Sequence, residues 1–482
     1  MRPEELKSDL ASIVGEEYVN DSLYERRLYD HDIAPLPTEV GLVFKTVPDV
    51  VVKPSRVEDV AKVIKYANRV RVPVVPRGSS SWGYGGTIPT RGGIVLELTK
   101  LDGISDLDEE AMTVRVEAGV RWGKLLSYLE ERGFTFGVYP SSAPSATVGG
   151  WIATGGLGIG SLKYGHLKEN VTEIRLATPT GDSVSIREGD EGLMSFDTFF
   201  DSEGTLGVIT EAILCIRPKP EKLVPVLASF DDLDSLSNVI RRVIDGPERP
   251  FFIEIQDRDY LELKRSIGIE APEAVVLSLF IYEGSEEETS RGADHLRGVV
   301  DEFGGSLHTV ESAAAEWEER FYYMRIKKAG PTLLVGEVTV PLSELELVIE
   351  ETRRIKERRG LRLGVKAFMV APDTVLFMPM FLADERERWK YLALLPVINE
   401  ITRVGLNAGG RPYGFGIWNA FFLREVHGKE RTRELKERKR RLDPGDIMNP
   451  GKLYKVVTRF GVPLWGTLFR LFTSMLWILR YF

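Results

Sequence analysis

Three stretches of small residues in the first half of the chain restrict its fold more than any other feature. The first is Pro76-Arg77-Gly78-Ser79-Ser80-Ser81-Trp82-Gly83-Tyr84-Gly85-Gly86. The second runs from Pro140-Ser141-Ser142 through Ala146-Thr147-Val148-Gly149-Gly150-Trp151-Ile152-Ala153-Thr154-Gly155-Gly156, and the third is Asp201-Ser202-Glu203-Gly204-Thr205-Leu206-Gly207-Val208-Ile209-Thr210. Closely spaced glycines permit positive φ and uncover successive backbone N–H groups, a concave row that attracts anions. The stretches lack the Gly-Lys-Ser/Thr ending of a P-loop and the Gly-x-Gly-x-x-Gly spacing of a Rossmann turn. Any one of them is equally a turn-rich connection. Three before Cys215 point to one extended ligand lying along exposed backbone, and a dinucleotide has the length and the pyrophosphate for that.

The segments around them alternate strand and helix. VPDVVVKP (47–54) predicts a strand, Val57 to Arg69 a helix with Ser55 as N-cap, and VPVVPRG (72–78) and GIVLEL (93–98) two more strands. MTVRVEAG (112–119), a helix over 121–132, a hairpin over 171–186 and a strand over 206–218 follow. From about residue 222 the chain changes to Glu/Arg-rich helices such as 343–359, separated by apolar strands such as 275–284 and 374–382. This pattern predicts an α+β protein. Its parts are a helical lead-in (1–40), a ligand-binding domain (41–218), a second α+β domain built on an antiparallel sheet (219–440), a return segment (441–458) and a tail (459–482).

Composition removes several function classes. With 63 Lys+Arg against 72 Asp+Glu and a net charge of −9, the chain lacks the basic balance of a nucleic-acid binder. One Cys forbids an intrachain disulfide, and five His leave little for a metal site. One Gln among abundant Glu, Lys and Arg is a bias typical of thermophile proteins.

At the three loops the sequence resembles the vanillyl-alcohol oxidase/p-cresol methylhydroxylase superfamily of FAD enzymes, and within it the branch of glycolate oxidase subunits and D-lactate dehydrogenases. The ordered set Pro-Arg-Gly-Ser, Pro-Ser-Ser…Thr-Val-Gly-Gly, Lys163-Tyr164-Gly165 and Ser202 to Thr210 carries it, with Leu442-Asp443-Pro444…Met448-Asn449-Pro450-Gly451-Lys452-Leu453 near the end. The resemblance implies a two-part FAD-binding domain of the p-cresol methylhydroxylase type and a cap domain. It implies that Pro76, Arg77, Gly78, Ser79, Ser80, Ser81, Trp82 and Gly83 hold the pyrophosphate. Pro140, Ser141, Ser142, Thr147, Gly149, Gly150, Ala153, Thr154, Gly156 and Tyr164 would run on toward the isoalloxazine. Gly204, Gly207, Val208 and Ile209 would contribute backbone around adenine, and Asn449 and Lys452 would close the site. Many relatives link FAD through a His in the first loop; here that loop offers only serines, so the FAD is expected to be non-covalent.

The second half implies chemistry only in part. Tyr322-Tyr323-Met324-Arg325…Lys328-Ala329-Gly330-Pro331 resembles the Trp-x-x-Arg segment of the hydroxyacid branch, so Arg325 is a candidate clamp for a carboxylate, whose two oxygens a guanidinium matches. Relatives also carry His-x-Gly-Asp-Gly-Asn-x-His and, later, Glu-His-Gly, which hold a divalent metal and a base. Here those regions read Phe368-Met369-Val370-Ala371-Pro372-Asp373-Thr374-Val375-Leu376-Phe377 and Gly409-Gly410-Arg411-Pro412-Tyr413-Gly414-Phe415-Gly416. No metal site is therefore expected. Tyr413 occupies the place of the family's base, with a phenol whose pKa Arg411 would lower. His166 is a second candidate for handling a proton, or a helix cap. Trp418, Phe421 and Phe422 line an apolar pocket or are core.

The last 23 residues, FGVPLWGTLFRLFTSMLWILRYF, are the most apolar stretch. As a helix from Pro463 they gather Leu464, Leu468, Leu471, Phe472, Met475, Ile478, Leu479 and Phe482 on one side. Arg470 falls mid-segment, where a spanning helix would pay roughly 2.5–3.5 kcal/mol. An in-plane amphipathic helix on an acidic lipid surface is expected, the alternative being a helix packed on a partner or on this protein. Together with a charged N-terminus lacking an apolar leader core, this leads to the expectation of a protein on the cytoplasmic face of the membrane.

The expectation from the sequence is thus a peripheral-membrane, FAD-dependent oxidoreductase of a hydroxy acid or a larger, lipidic or aromatic alcohol. Hydride would pass to flavin N5 and electrons to a quinone or an iron–sulfur partner. Two other readings remain: a transferase like alkylglycerone-phosphate synthase, and a non-catalytic flavin subunit relaying electrons in a membrane complex.

Overall fold

The computed structural model describes residues 3–36 and 38–464. Among these residues the chain forms three main sheets. The first joins Val50–Val52, Ile94–Glu97 and Val74–Arg77 in parallel, with the short Val19–Asn20 antiparallel beside Val50–Val52. Parallel neighbours need a crossover. The helix Val57–Val70 supplies it, burying Val60, Ile64 and Ala67 against the sheet. Its cap falls at Arg56 rather than Ser55, with no side-chain bond to the first turn. The lead-in helix Pro3–Val14 packs on this crossover helix.

The second sheet is antiparallel, in the order Ile104–Asp108, Thr113–Glu117, Val208–Cys215, Val171–Ala177, Ser183–Arg187. A bulge between Ile209 and Glu211 breaks the ladder to Val171–Ala177. Pairing with Thr113–Glu117 begins only at Glu211, so Val208 and Ile209 lie beyond it.

The third sheet has nine strands from the second half, running from Ser306–Leu307 through Lys222–Phe230, Val276–Gly284, Phe252–Asp257, Leu363–Ala371, Thr374–Ala383 and Val338–Pro341 to Arg411–Pro412, with Thr332–Val335 also on Thr374–Ala383. Alternation sorts its two faces. Ile253, Ile255, Val365, Ala367 and Met369 face the helices Leu233–Ile244, Glu286–Glu302, Leu345–Arg359 and Arg388–Asn407. Phe252, Phe368, Val370, Leu376 and Met378 share the other core with Val116, Trp122, Trp151 and Ile152 of the first half. The second half therefore lays one face of its sheet over the small-residue loops.

The chain then returns. Val74 N donates to Ile447 O and Asn449 N to Val74 O, both at 2.8 Å, so residues 447–449 lie beside the strand that feeds the first loop. The expected amphipathic helix lies almost wholly outside the described residues; Leu464, at its start, packs on the core of the second half. Among the described residues no helix is long and apolar enough to cross a membrane.

Candidate functional site

The three loops meet along a cleft of about 1320 Å³. The first leaves the end of strand Val74–Arg77, and a Cβ on Gly78 would stand 2.2 Å from Thr147 Oγ1 of the second. Gly204 of the third has φ 67°, and a Cβ there would stand 2.4 Å from Pro76 Cγ. Glycine is thus required where each loop touches its neighbour. Thr147 caps the short helix Val148–Ala153 by accepting from Gly150 N.

The structure brings most of the predicted cofactor residues together. Pro76, Arg77, Gly78, Ser79, Ser80, Ser81 and Trp82 line the cleft with Pro140, Ser141, Ser142, Thr147, Gly149, Gly150, Ala153 and Thr154, and so do Gly204, Gly207, Val208 and Ile209. Three others, Gly83, Gly156 and Tyr164, stand apart. Gly83 faces an adjoining chamber. Gly156 packs against Leu167. Tyr164 donates to Glu283 Oε1 at 2.6 Å beneath the Arg217 guanidinium, joining the two halves away from the cleft. Arg77 lines the cleft, but its guanidinium reaches away to His31 O at 2.7 Å and the Tyr29 ring.

Asn449 and Lys452 lie one layer behind. Asn449 Nδ2 donates to Gly86 O at 2.8 Å and Glu203 O at 2.7 Å, clamping the first loop to the third. Lys452 Nζ donates to Asn449 Oδ1 at 2.5 Å, and burial lowers its pKa to about 7. Glu203 of the third loop turns inward to accept from Phe415 N and Gly416 N at 2.8 Å. Burial raises its pKa to about 7, against those two hydrogen bonds. Asp32 pins the first loop by accepting from Gly85 N at 2.7 Å.

At the other end side chains replace backbone. Trp151, Tyr413, Tyr323, Phe368, Leu376, Met378 and Glu337 close the cleft. Tyr413 accepts from Trp151 Nε1 at 3.0 Å and donates to Leu157 O at 3.4 Å. Its phenol is not lowered by Arg411, as the sequence suggested. Enclosure pushes its pKa well up, and the Glu337 carboxylate adds to this, so Tyr413 keeps its proton.

The other two candidates for chemistry lie elsewhere. Arg325 is exposed on the 3₁₀ segment Tyr323–Ala329, paired with Glu319 at 2.5 Å over the Tyr322 ring. That short segment turns Tyr323 toward the cleft and Arg325 toward solvent. His166 caps the turn Leu167–Asn170, Nδ1 accepting from Lys168 N at 3.3 Å. Burial and Lys168 hold its pKa near 4, so it is neutral and outside the cleft lining. Trp418 is core with Phe421 packed against it, and Phe422 is buried.

Glu337 is a further side chain at this end, marked in the sequence only as one acid within the apolar run Thr332-Leu333-Leu334-Val335-Gly336-Glu337-Val338-Thr339-Val340. Its Oε2 accepts from Trp82 Nε1 at 2.5 Å, and its backbone N donates to Tyr84 Oη at 2.6 Å. It lies deep in the protein yet touches the open cleft, and desolvation raises its pKa to about 7. Among the described residues no group of three or more His, Cys, Asp or Glu is placed to hold a metal.

The cleft thus has a backbone-lined arm for phosphates and a nucleoside, and an aromatic end for a planar ring. The residues fit FAD: glycines at 78, 149, 150, 204 and 207 leave a long cradle open, and the first loop offers serine hydroxyls with neither His nor Cys. This is the architecture of an FAD-dependent oxidoreductase. The chain belongs to the FAD-linked oxidoreductases of the vanillyl-alcohol oxidase/p-cresol methylhydroxylase superfamily: an FAD binding domain matches residues 48–187, and the C-terminal domain of FAD linked oxidases matches 219–453. It is 28% identical to the glycolate oxidase subunit GlcD of Bacillus subtilis, over 94% of this chain and 97% of that one. It is also 28% identical to a mitochondrial cytochrome-type D-lactate dehydrogenase of Arabidopsis thaliana, over 94% and 80%. Among solved structures, p-cresol methylhydroxylase with substrate bound superposes with a TM-score of 0.79 at 18% identity, over 94% of this chain and 96% of that one.

Proposed function

We propose that this flavoprotein oxidises a CH–OH group, of an alcohol or a hydroxy acid, without a metal, and passes the electrons to a quinone or an iron–sulfur partner at a membrane surface. Bound FAD supplies the hydride acceptor. The observation that carries the reading is the composition of the aromatic end, where an enclosed carboxyl, Glu337, and two protonated phenols, Tyr413 and Tyr323, surround one space. Trp151 and Leu157 fix the Tyr413 ring, and Trp82 fixes Glu337, so the polar groups are oriented before a substrate arrives. Phe368, Leu376 and Met378 add apolar walls to that end.

Surface chemistry supports the membrane part. Leu42, Phe460 and Val462 are 73%, 77% and 57% exposed. Arg459 ties their two segments together, donating from N to Val43 O and from Nη1 to Gly41 O, both at 2.7 Å. The apolar tail continues from there.

Anaerobic mixing of the purified flavoprotein with alcohols and 2-hydroxy acids tests the reaction: the flavin absorbance is expected to bleach with at least one of them and to recover on adding a quinone. Absence of bleaching across both classes refutes the oxidation. Removing residues 465–482 is expected to release the protein from lipid vesicles, and undiminished vesicle binding refutes the anchor.

A further inference from the structure

Next to the flavin cleft lies a second space of about 950 Å³. Ser81, Trp82, Ser141, Ser142, Tyr323 and Glu337 line both, so the two spaces share a wall. The chamber leads outward past Ile33 and Tyr322, which are 47% and 49% exposed. Its other walls are mostly apolar, with Met324, Leu333, Val335 and Ile398 among them, and Ser145, Tyr84 and Tyr322 beside them.

Its charge is as informative as its shape. Among the described residues no Lys, Arg or His lines the chamber, and its one carboxyl is Glu337. The cations nearby are committed: Arg325 to Glu319, Arg77 to the lead-in, Lys366, 5.5 Å from the Tyr323 ring centroid, to Glu254 at 2.9 Å, and Arg320 to Trp317 O at 2.9 Å, its guanidinium stacked on the Trp317 and Phe321 rings. A small anion here would meet a carboxylate with no compensating charge. An uncharged apolar molecule would displace water from apolar walls and bring its one polar group to the shared wall.

That wall has an acceptor ready. Glu337 Oε2 takes the Trp82 indole N–H, while Oε1 has no donor among the described residues. Tyr84, Tyr323 and Tyr413 are the titratable groups around it, and all three phenols are raised, so they stay protonated while Glu337 ionises.

We propose that the chamber binds an uncharged, largely apolar alcohol with its hydroxyl on Glu337 Oε1, and that Glu337 is the proton acceptor of the reaction. The O–H proton passes to the carboxylate while the carbinol C–H leaves as hydride to the oxidised flavin; a carbonyl product, a reduced flavin and a protonated Glu337 result. Deprotonation of the hydroxyl supplies the electron density that expels the hydride. This deepens the oxidoreductase reading above and rests on it for the redox step, but the binding step stands independently.

The test pairs two probes of equal length, 1-octanol and octanoate, titrated calorimetrically into the FAD-loaded protein at about pH 8, above the Glu337 pKa. Octanol is expected to bind at least about tenfold more tightly than octanoate. Glu337→Gln, which keeps an acceptor for Trp82, is expected to close most of that gap and to slow flavin bleaching by octanol. The pH dependence of bleaching near neutrality is expected to vanish in the same variant. Octanoate binding as tightly as octanol to the unaltered protein overturns the substrate class. A Glu337→Gln variant with full flavin content and undiminished bleaching overturns the proton-acceptor role. Tight octanol binding without bleaching by any alcohol sinks the oxidation reading and the proton transfer with it, while supporting the chamber as a site for uncharged ligands.

Discussion

The two ends of the cleft are built from different materials. At the phosphate and nucleoside end, loops 76–86, 140–156 and 201–210 present backbone and small side chains, and the specificity lies in what is missing, a Cβ at Gly78 and at Gly204. At the aromatic end, Glu337, Tyr413, Tyr323 and Phe368 come from segments scattered over the second half, and the specificity lies in side chains. A surface of bare glycines tolerates little change because an added atom meets the neighbouring loop, Thr147 Oγ1 at Gly78 and Pro76 Cγ at Gly204. A side-chain surface can exchange its chemistry while the fold stays.

Substitutions can break that comparison. The largest effect is expected at the backbone end. Gly204→Val places a branched side chain at φ 67° and against Pro76, at a cost of several kcal/mol, with nearly complete loss of flavin. The ratio of flavin to protein absorbance checks it, and a variant that retains its flavin would refute the idea that close contact between the loops sets this end.

A smaller, pH-dependent effect is expected at the side-chain end. Glu337 has a folded pKa of about 7, raised by desolvation above its ordinary 4.5. A raised carboxyl favours folding most below its unfolded pKa, and that contribution is lost as pH rises through about 7. Melting curves at acid and alkaline pH therefore read it: Glu337→Gln should flatten the decline between roughly pH 4 and 8 by on the order of 2 kcal/mol, discounted because the cleft admits water. Glu203 and Asp257, also raised to about 7, keep a residual slope of the same sign. An unchanged slope would mean that Glu337 is not enclosed when flavin is bound.

The smallest effect is expected at Arg325. Arg325→Ala removes a surface ion pair worth about 1 kcal/mol or less. Flavin reduction by any active substrate should change little. A loss of about tenfold or more, the scale of a lost charged hydrogen bond, would restore it as a carboxylate clamp and contradict its outward placement.

Much of the fold could be read from local pattern. The strands around Val50–Val52, Ile94–Glu97 and Val208–Cys215 and the helix Val57–Val70 follow from apolar periodicity, which depends on near neighbours alone. The cap of that helix did not, since Ser55 fits the preference but the turn begins one residue later. Tyr413 was legible as part of the site, but its protonation was not. Arg411 is adjacent in sequence, whereas the group that faces the phenol is Glu337, 76 positions earlier and brought close because Tyr413 N donates to Glu337 O.

By itself the sequence determined the flavin end, because a backbone surface is specified by which residues lack side chains, and that is written in consecutive positions. Only the tertiary structure decided what stands at the aromatic end. Strand pairing over Thr332–Ala383 and the turn at Tyr323–Ala329 choose which side chains face inward, sending Arg325 to solvent and Glu337 to the cleft. A charge acquires its chemistry from desolvation and from its partners, and neither exists until distant segments pack.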